Sequence, residues 1–370
     1  MESKEKVERM FNLEAPKSRS DIPVFPHIMT WAGTVAGITQ AEILQDGNKW
    51  LEALDKTYEI IGKPDVSMSA MLDDVVFAMG LPAKRPGKEL GENELYQFVE
   101  TPYFDDESEY EKIKQMGWGN WYAAYIMDIQ NPKMTSFDEL GARYGLMGQH
   151  GGQVLQFLGQ RGIEPISHSA TAPIYDSLSQ IRSMEEFAID LYTDPDPIMD
   201  IIQTHQPEET EKTIGMLKSF GGTRVALYAM RSCAPFISPA GFEEYIWPTL
   251  KQMIETYYAA GIRVVMHADA SWLPMLPYFK ELPKASVHFE FDGDTNMFDA
   301  YEIIGGWHSM RGDVPAAMFT FGTPEQVSEY CEKIITGLCV KGGVMLGSGC
   351  EVPLNAKPEC VIAMMKSVKN

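Results

Sequence analysis

The chain is 370 residues long, and 45% of its residues are hydrophobic while 22% are charged, which is the composition of a globular protein with a large buried core. This composition excludes a disordered chain, a collagen-like fibre and a small scaffold held by disulfides. The net charge of −21, from 52 acidic and 31 basic residues, would repel phosphate backbones, so we expect no nucleic acid as a partner.

The first half of the chain carries scattered element signals. Residues 1–20 are interpreted as an N-terminal extension, and the acidic segment rich in glycine and proline near residues 80–121 as an insertion that partly caps the site. Short apolar runs predict strands, and amphipathic patterns predict helices. The strands are predicted at 22–28 and 66–70, and the helices at 42–61, within 145–162, and as a pair over 183–217 that breaks around residues 195–197.

The chain after residue 220 alternates regularly between strand and helix patterns. Five continuous apolar runs predict strands that are buried on both faces, at 223–229, 262–267, 286–291, 307–311 and 344–348. Helical stretches stand between them, which is typical of parallel strands with crossover helices.

Two helices of this region have clear signals at their ends. Ser238 is predicted to be the N-cap of one helix, and Pro248 within it predicts a kink. Thr323 is predicted to be the N-cap of the other, where Gln326 completes a capping box.

The alternation predicts the fold. Eight strands fit over the whole chain, so our leading prediction is a single α/β domain over residues 1–370 with a (β/α)8 TIM barrel architecture. A doubly wound sheet is the alternative. In a barrel, functional groups lie at the carboxyl ends of the strands.

The cysteines and the apolar runs bear on the compartment. The five cysteines include no C-x-x-C pair, so we expect free thiols in a reducing environment, with Cys331, Cys339 and Cys360 serving as packing residues. The N-terminal residues are charged and lack an apolar signal core, and no apolar stretch has the length of a membrane span. We therefore expect a cytoplasmic protein without a membrane partner.

Polar side chains stand where the predicted strands end. His267 and Asp269 close the run at 262–267, Asp292 follows 286–291, and Cys350 follows 344–348. An imidazole, a carboxylate and a thiolate that share one barrel mouth could bind zinc and leave a fourth position for substrate. Taken singly, the histidine and the cysteine are better interpreted as packing residues, and only their convergence in a barrel favours a metal site. Other acidic residues occupy similar positions: Asp294, Asp313 and Glu351.

No other site signature competes with this cluster. The sequence contains no GxGxxG, GxxxxGK[ST], GxSxG or HExxH motif, so neither a phosphate-binding loop nor a standard hydrolase site is indicated. His288 and His308 lie within predicted strands and are interpreted as structural. His27 and His168 lie near predicted strand ends and could reach the site.

Four segments resemble the uroporphyrinogen decarboxylase superfamily and, within it, the cobalamin-dependent methyltransferases: SDIPVFPHI, VVMHADAS, GDVPAAMFTFGTPEQV and MLGSGCEVPLNAKPECVIAMM. The resemblance covers roughly residues 20–367 and is strongest after residue 223. It implies a (β/α)8 barrel that holds a catalytic zinc. The sequence has no D-x-H-x-x-G cobalamin motif, so the resemblance also implies that cobalamin comes from a partner corrinoid protein.

The resemblance also implies a ligand set. In the branch that methylates thiols such as coenzyme M, zinc is held by His-x-Cys and a distant Cys; here His267 and Cys350 match, and Asp269 replaces the middle cysteine. We therefore expect His267, Asp269 and Cys350 as metal ligands, with Asp292 or Glu290 as the alternative carboxylate and Asp292 among the catalytic residues. A carboxylate in place of a thiolate makes a harder, more Lewis-acidic metal, which suits an oxygen leaving group.

The implied activity is transfer of a methyl group from a methoxylated substrate, an aryl methyl ether, to the Co(I) corrinoid of a separate protein, as in O-demethylase systems. The alternatives are a methylcobalamin:thiol methyltransferase of the coenzyme M type, a uroporphyrinogen decarboxylase-like enzyme, and a barrel that binds without catalysis. The decarboxylase places arginines just after the first strand, whereas FPHIMTWAGT contains none. Asp269 is the residue that favours the non-catalytic alternative.

Overall fold

The framework of the molecule is a set of parallel strands, shown here in a computed structural model that describes residues 1–369. In chain order the strands are β1 Val24–Phe25, β2 Val66–Ser67, β3 Ala83–Lys84, β4 Gln97–Phe98, β5 Glu164–Pro165, β6 Ser169–Thr171, β7 Arg224–Tyr228, β8 Arg263–Ala268, β9 Val287–Phe291, β10 Ser309–Val314 and β11 Val344–Ser348.

The strands close into a ring. One parallel sheet has the order β1-β11-β10-β9-β8-β7-β6, and β2 pairs in parallel with β5. Only residues 166–168 separate β5 from β6, so these two segments share one strand position, the first facing β2 and the second facing β7. The Asp65 N–H beside β2 donates to the Val24 carbonyl of β1 at 3.1 Å. Eight strand positions result, which confirms the predicted (β/α)8 barrel.

The later strands lie where their apolar runs predict them, and the first two are shorter. β7, β8, β9 and β11 start and end within one residue of the prediction, whereas β10 extends to Val314, so Asp313 lies inside the strand rather than after it. β1 and β2 have two residues each, although the patterns predict 22–28 and 66–70. Pro23 and Pro26 flank β1, and neither has an N–H to extend a ladder.

Helices surround the strands. They are α1 Ser3–Phe11, α2 Trp31–Ala36, α3 Gln40–Gln45, α4 Gly47–Ile61, α5 Leu72–Ala78, α6 Ser108–Met116, α7 Trp118–Asp128, α8 Phe137–Arg161, α9 Ile174–Arg182, α10 Met184–Thr193, α11 Asp196–Ser219, α12 Pro239–Gly241, α13 Trp247–Ala259, α14 Met297–Ile304, α15 Ala316–Phe321, α16 Pro324–Gly337 and α17 Pro358–Ser367. Short 3-10 turns lie at Arg19–Asp21, Leu276–Glu281 and Cys339–Lys341. The pair predicted over 183–217 is confirmed as α10 and α11.

Capping side chains set the starts of several helices. The Gly241 N–H donates to Ser238 Oγ at 3.1 Å at the start of α12, as predicted. At α16, Thr323 and Gln326 exchange the two bonds of a capping box, which confirms that prediction. The kink expected at Pro248 takes the form of a π-helical segment, Phe242–Ile246, directly before α13.

Two helix predictions needed correction. The helix predicted over 42–61 is divided into α3 and α4, because Asp46 is extended and its side chain accepts the Asn48 N–H at 2.8 Å, which ends one helix and caps the next. The helix predicted within 145–162 begins earlier and runs without a break as α8. Its glycines interrupt the apolar pattern but leave the main-chain hydrogen bonds in place.

The N-terminal extension closes the end of the barrel opposite the predicted site. Val7, Met10 and Phe11 of α1 pack in one cluster with inward residues of the strands, which include Phe25, Val66, Val265 and Met345. Glu8 forms ion pairs with the first residues of β7 and β8, Arg224 at 3.0 Å and Arg263 at 3.4 Å. The other end of the barrel is thereby left for function.

The insertion near residues 80–121 packs on the barrel, and its buried side chains belong to the same hydrophobic core as those of α11. It contains the antiparallel pair β3–β4 and the helices α6 and α7. Glu100 of the insertion pairs at 2.7 Å with Arg231, which lies just beyond the carboxyl end of β7. The insertion is therefore tied to the mouth of the barrel. Among residues 1–369, no helix combines the length and the apolar character needed to cross a bilayer.

Candidate metal centre

Three side chains meet at the carboxyl ends of β8 and β11. His267 is the penultimate residue of β8, Asp269 follows that strand directly, and Cys350 lies two residues beyond β11. One potential ligand atom from each residue lies within 4.8 Å of the other two, and all three side chains are shielded from bulk water to an intermediate or greater degree. The structure thus brings together the three residues that the sequence analysis expected as metal ligands.

Both ring nitrogens of His267 face carboxylates. Nε2 lies 3.2 Å from Asp269 Oδ1, and Nδ1 lies 3.5 Å from Glu290 Oε2. A histidine that binds a metal through one nitrogen commonly has a carboxylate at the other, which fixes the ring orientation and raises its basicity. Glu290 is therefore placed to orient His267 rather than to complete the cluster.

Strand register creates this arrangement. Glu290 on β9 lies opposite His267 on β8 and opposite Arg311 on β10. Arg311 is fully buried, and its Nε lies 3.1 Å from Glu290 Oε1, so the two opposite charges compensate each other inside the barrel. A row of three polar side chains thus crosses three neighbouring strands.

Arg311 also holds the turn that carries the cysteine. Its guanidinium donates to the Ser348 carbonyl at 2.8 Å and to the Gly349 carbonyl at 3.4 Å, immediately before Cys350. One buried cation therefore fixes both the carboxylate behind His267 and the backbone before Cys350.

The turn after β11 requires a glycine at position 349, because a side chain would not fit there. A Cβ placed on Gly349 would lie 2.4 Å from the carbonyl oxygen of Asp292, closer than real side chains approach a backbone. The missing side chain lets the β11 turn pack directly on the loop after β9, which fixes the position of Cys350.

The charges of the site depend on one another. Burial alone would lower the pKa of His267, but its hydrogen bonds with Asp269, Cys350 and Glu290 raise that pKa well above the usual value. Burial works against the charged form of Glu290, yet Arg311 and His267 outweigh it and lower the pKa of that carboxyl. The pKa of Asp269 is likewise lowered, because its pairing with His267 overcomes the effect of burial.

Asp292 has a different environment from the three clustered residues. Its carboxylate accepts the Ala270 N–H at 2.8 Å and the Asp294 N–H at 2.9 Å. These bonds hold the loop that follows Asp269, and the structure does not place Asp292 in the cluster. The other acidic candidates are also engaged elsewhere: Asp313 accepts the Tyr330 hydroxyl at 2.8 Å, and Glu351 accepts the main-chain N–H of Thr30 at 2.7 Å.

Most of the other histidines and cysteines singled out in the sequence have structural roles. His288 and His308 are buried and bonded to Ser309 Oγ and to the Phe279 carbonyl, which confirms their structural interpretation. All five cysteines are free. Three of them are fully buried packing residues, as expected: Cys331, Cys339 and Cys360.

Sequence reasoning missed Arg311 and two tyrosines near the site. A charged residue inside the strand pattern WHSMR was the only available signal for Arg311. Tyr228, at the end of β7, has its ring 5.5 Å from that of His267. Burial raises the pKa of Tyr96, which belongs to the insertion, and the nearby acidic groups Glu351, Tyr228 and Cys350 add to that shift. One residue of the insertion thus lies near the mouth of the barrel.

Comparison with known proteins identifies the family and the fold of this chain. Among solved structures, a methyltransferase from Methanosarcina mazei matches with a TM-score of 0.66 at 14% sequence identity, over 100% of this chain and 98% of that one. A xylose isomerase-like TIM barrel protein from Mycobacterium smegmatis, in complex with magnesium, matches with a TM-score of 0.40 at 11% identity, over 95% and 98% of the chains. A search of curated proteins found no match. The family model described as uroporphyrinogen decarboxylase (URO-D) matches residues 165–370, more than half of the sequence, and the chain therefore belongs to this family.

Proposed function

We propose that this chain is a zinc-dependent methyltransferase that moves a methyl group from an aryl methyl ether to the Co(I) corrinoid of a separate protein. The observation that carries the proposal is the cluster of His267, Asp269 and Cys350 at the barrel mouth. The methyltransferase from Methanosarcina mazei, which shares the fold over the full chain, supports the same reaction class.

The donor set fits zinc. An imidazole nitrogen, a carboxylate oxygen and a thiolate sulfur are the three ligand types that zinc accepts, and three protein ligands leave a position for a reacting group. Glu290 supplies the carboxylate that commonly stands behind a metal-bound histidine. When bound there, zinc would act as a Lewis acid toward an ether oxygen.

The protein's own residues would orient the ligands and exclude water. Arg311 and Glu290 fix the direction of His267, and Arg311 with Gly349 fixes the turn before Cys350. Tyr96, and Glu100 through its pair with Arg231, would bring the insertion to the mouth of the barrel and limit the access of water there. An ether methyl is a poor electrophile, so the main task of the site is to stabilise the oxygen as it leaves.

The donor set also separates this proposal from its nearest alternatives. Two thiolates and a histidine would make an electron-rich metal suited to a thiol substrate, whereas this cluster has a single cysteine and a carboxylate. Decarboxylation of a substrate with many carboxylates needs cationic groups at the mouth; after β1 the chain instead places Thr30 and Trp31.

The first experiment is metal content. Elemental analysis of the purified protein should find about one zinc per chain, and His267→Ala and Cys350→Ala should each abolish it. His205→Ala and Cys360→Ala are matched controls that should keep the metal, because both residues lie outside the cluster. Absence of zinc from the wild type after reconstitution would remove the basis of the proposal.

The second experiment is methyl transfer. Zinc-loaded protein, methoxybenzene and a Co(I) corrinoid protein should yield methylcobalt(III), which is followed by its absorbance, together with phenol in equal amount. The alternative is tested in the other direction: the methylcobalt(III) protein and a free thiol should give the thioether and Co(I) more slowly. A faster reaction in that direction would favour the thiol methyltransferase instead.

A further inference from the structure

His27 lies beside the metal cluster and is fixed by its main chain. It follows β1, its N–H donates to Ser348 Oγ at 2.9 Å, and its carbonyl accepts the Val352 N–H at 2.9 Å. Both partners flank the turn that carries Cys350. The backbone of His27 is therefore held against the same segment that presents the thiol.

The ring of His27 is directed into the barrel mouth. It stacks on Phe25 at 5.5 Å between centroids and meets the ring of His267 nearly edge-on at 6.3 Å. Phe25 packs with the inward residues of the strands, so the His27 ring stacked on it lies on the same inward side. His27 and His267 are thus neighbours at the mouth of the barrel.

Neither ring nitrogen of His27 has a hydrogen-bond partner in the described part of the chain, although both are buried. The residue is only 5% exposed. His288 and His308, equally buried, each bond through at least one nitrogen. Buried polar groups are nearly always paired, so a ring with two free nitrogens beside a reactive cluster calls for an external partner.

That partner is not the metal itself. His27 falls outside the set of ligand atoms that lie within 4.8 Å of one another. A neutral imidazole has one N–H donor and one acceptor, and it can therefore bond to an oxygen without giving up a proton.

We propose that His27 is a substrate-binding residue whose N–H donates a hydrogen bond to the oxygen that loses the methyl group. This inference rests on the proposed function. In the reaction the CH3–O bond breaks, its electron pair stays on the oxygen, and the methyl carbon bonds through an electron pair of Co(I), which becomes Co(III). The oxygen leaves as a phenolate, and the bond from His27 strengthens as its charge grows.

The test compares two substitutions of one residue. His27→Phe keeps the ring that stacks on Phe25 but removes the donor, and His27→Gln keeps a donor without the ring. We expect both variants to retain about one zinc per chain. Calorimetry with phenol as the probe should show at least a tenfold loss of affinity in His27→Phe and partial recovery in His27→Gln.

The dependence of the rate loss on the ether is a second measurement, and a purely structural role of His27 would not produce it. The turnover of His27→Phe should fall about 10²- to 10³-fold, as when one donor to a developing oxyanion is removed. The fall should be largest for methoxybenzenes whose phenols are least acidic, because their oxygen gathers the most charge.

The outcomes separate this inference from the proposed function. Any one of the following results would overturn the role of His27. His27→Phe loses its zinc; phenol fails to bind the wild type or binds the variant equally well; or the rate falls by the same factor for all ethers. Phenol binding that depends on His27 without any methylcobalt product would keep His27 as a residue that binds the phenol oxygen and would refute the methyl transfer.

Discussion

Replacing Arg311 with methionine tests whether one buried cation organises the candidate metal centre. Arg311 is 0% exposed, and Glu290 opposite it is 4% exposed, so the substitution leaves a buried carboxylate without its charge partner. Removing one member of a buried ion pair typically costs about 3–5 kcal/mol. The two carbonyls before Cys350, which now accept from the guanidinium, would also lose their donors. We therefore expect Arg311→Met to lower the free energy of unfolding of the metal-free protein by about 4 kcal/mol.

Urea unfolding of the metal-free protein measures this loss. The matched control is Arg161→Met, which removes a half-exposed pair with Asp55 and should cost about 1 kcal/mol or less. The double variant Glu290→Gln with Arg311→Met should recover part of the loss, because no unpaired carboxylate remains. In Arg311→Met the zinc affinity should also fall by about 10- to 100-fold. A cost below about 1 kcal/mol, or a double variant no more stable than Arg311→Met, would refute the assigned role.

Three further predictions concern local features. Gly349→Ala should reduce zinc affinity and lower the free energy of unfolding in urea by about 1–3 kcal/mol, because its Cβ would strike the Asp292 carbonyl. The control is Gly215→Ala, which lies in open space on α11 and should instead raise the free energy of unfolding by up to about 1 kcal/mol. Burial raises the pKa of Asp176 to about 7, above its value in the unfolded chain. The folded protein therefore holds this proton more tightly than the unfolded chain does, and the free energy of unfolding falls as pH rises toward 7. Asp176→Asn should remove that loss, worth about 3 kcal/mol between pH 5 and pH 8, and equal pH slopes for variant and wild type would contradict it. Thr323→Ala should cost about 1 kcal/mol in thermal or urea unfolding through loss of the α16 cap, and an unchanged midpoint would count against the capping box.

The sequence predicted the strands well where burial is continuous. β7, β8, β9 and β11 are apolar runs because both faces of a barrel strand are covered, and this makes their boundaries readable. β1 and β2 form only two residues of ladder each, which is too short for any periodic pattern. Asp46 shows a second limit: its cap divides a helix whose apolar pattern continues across the break.

The same contrast holds at the site. His267, Asp269 and Cys350 could be predicted because each stands at the end of a readable strand, and parallel strands bring such ends together. Arg311 and Glu290 could not be paired from the sequence, because their contact depends on the register between β9 and β10. The sequence could not decide whether His27 reaches the site, because the position of its ring follows from closure of the barrel between β1 and β11.

Under the proposed function, the charges of the cluster give Asp269 a part in substrate choice. Glu290 and Arg311 cancel each other, so the charge facing a bound divalent cation comes from Asp269 and the Cys350 thiolate. A second thiolate in place of Asp269 would give the same net charge. The two donor sets therefore differ in softness and not in charge, and the harder carboxylate leaves more positive character on the metal. That character benefits a substrate whose oxygen must accept an electron pair, and this links a single residue beyond β8 to the proposed ether substrate.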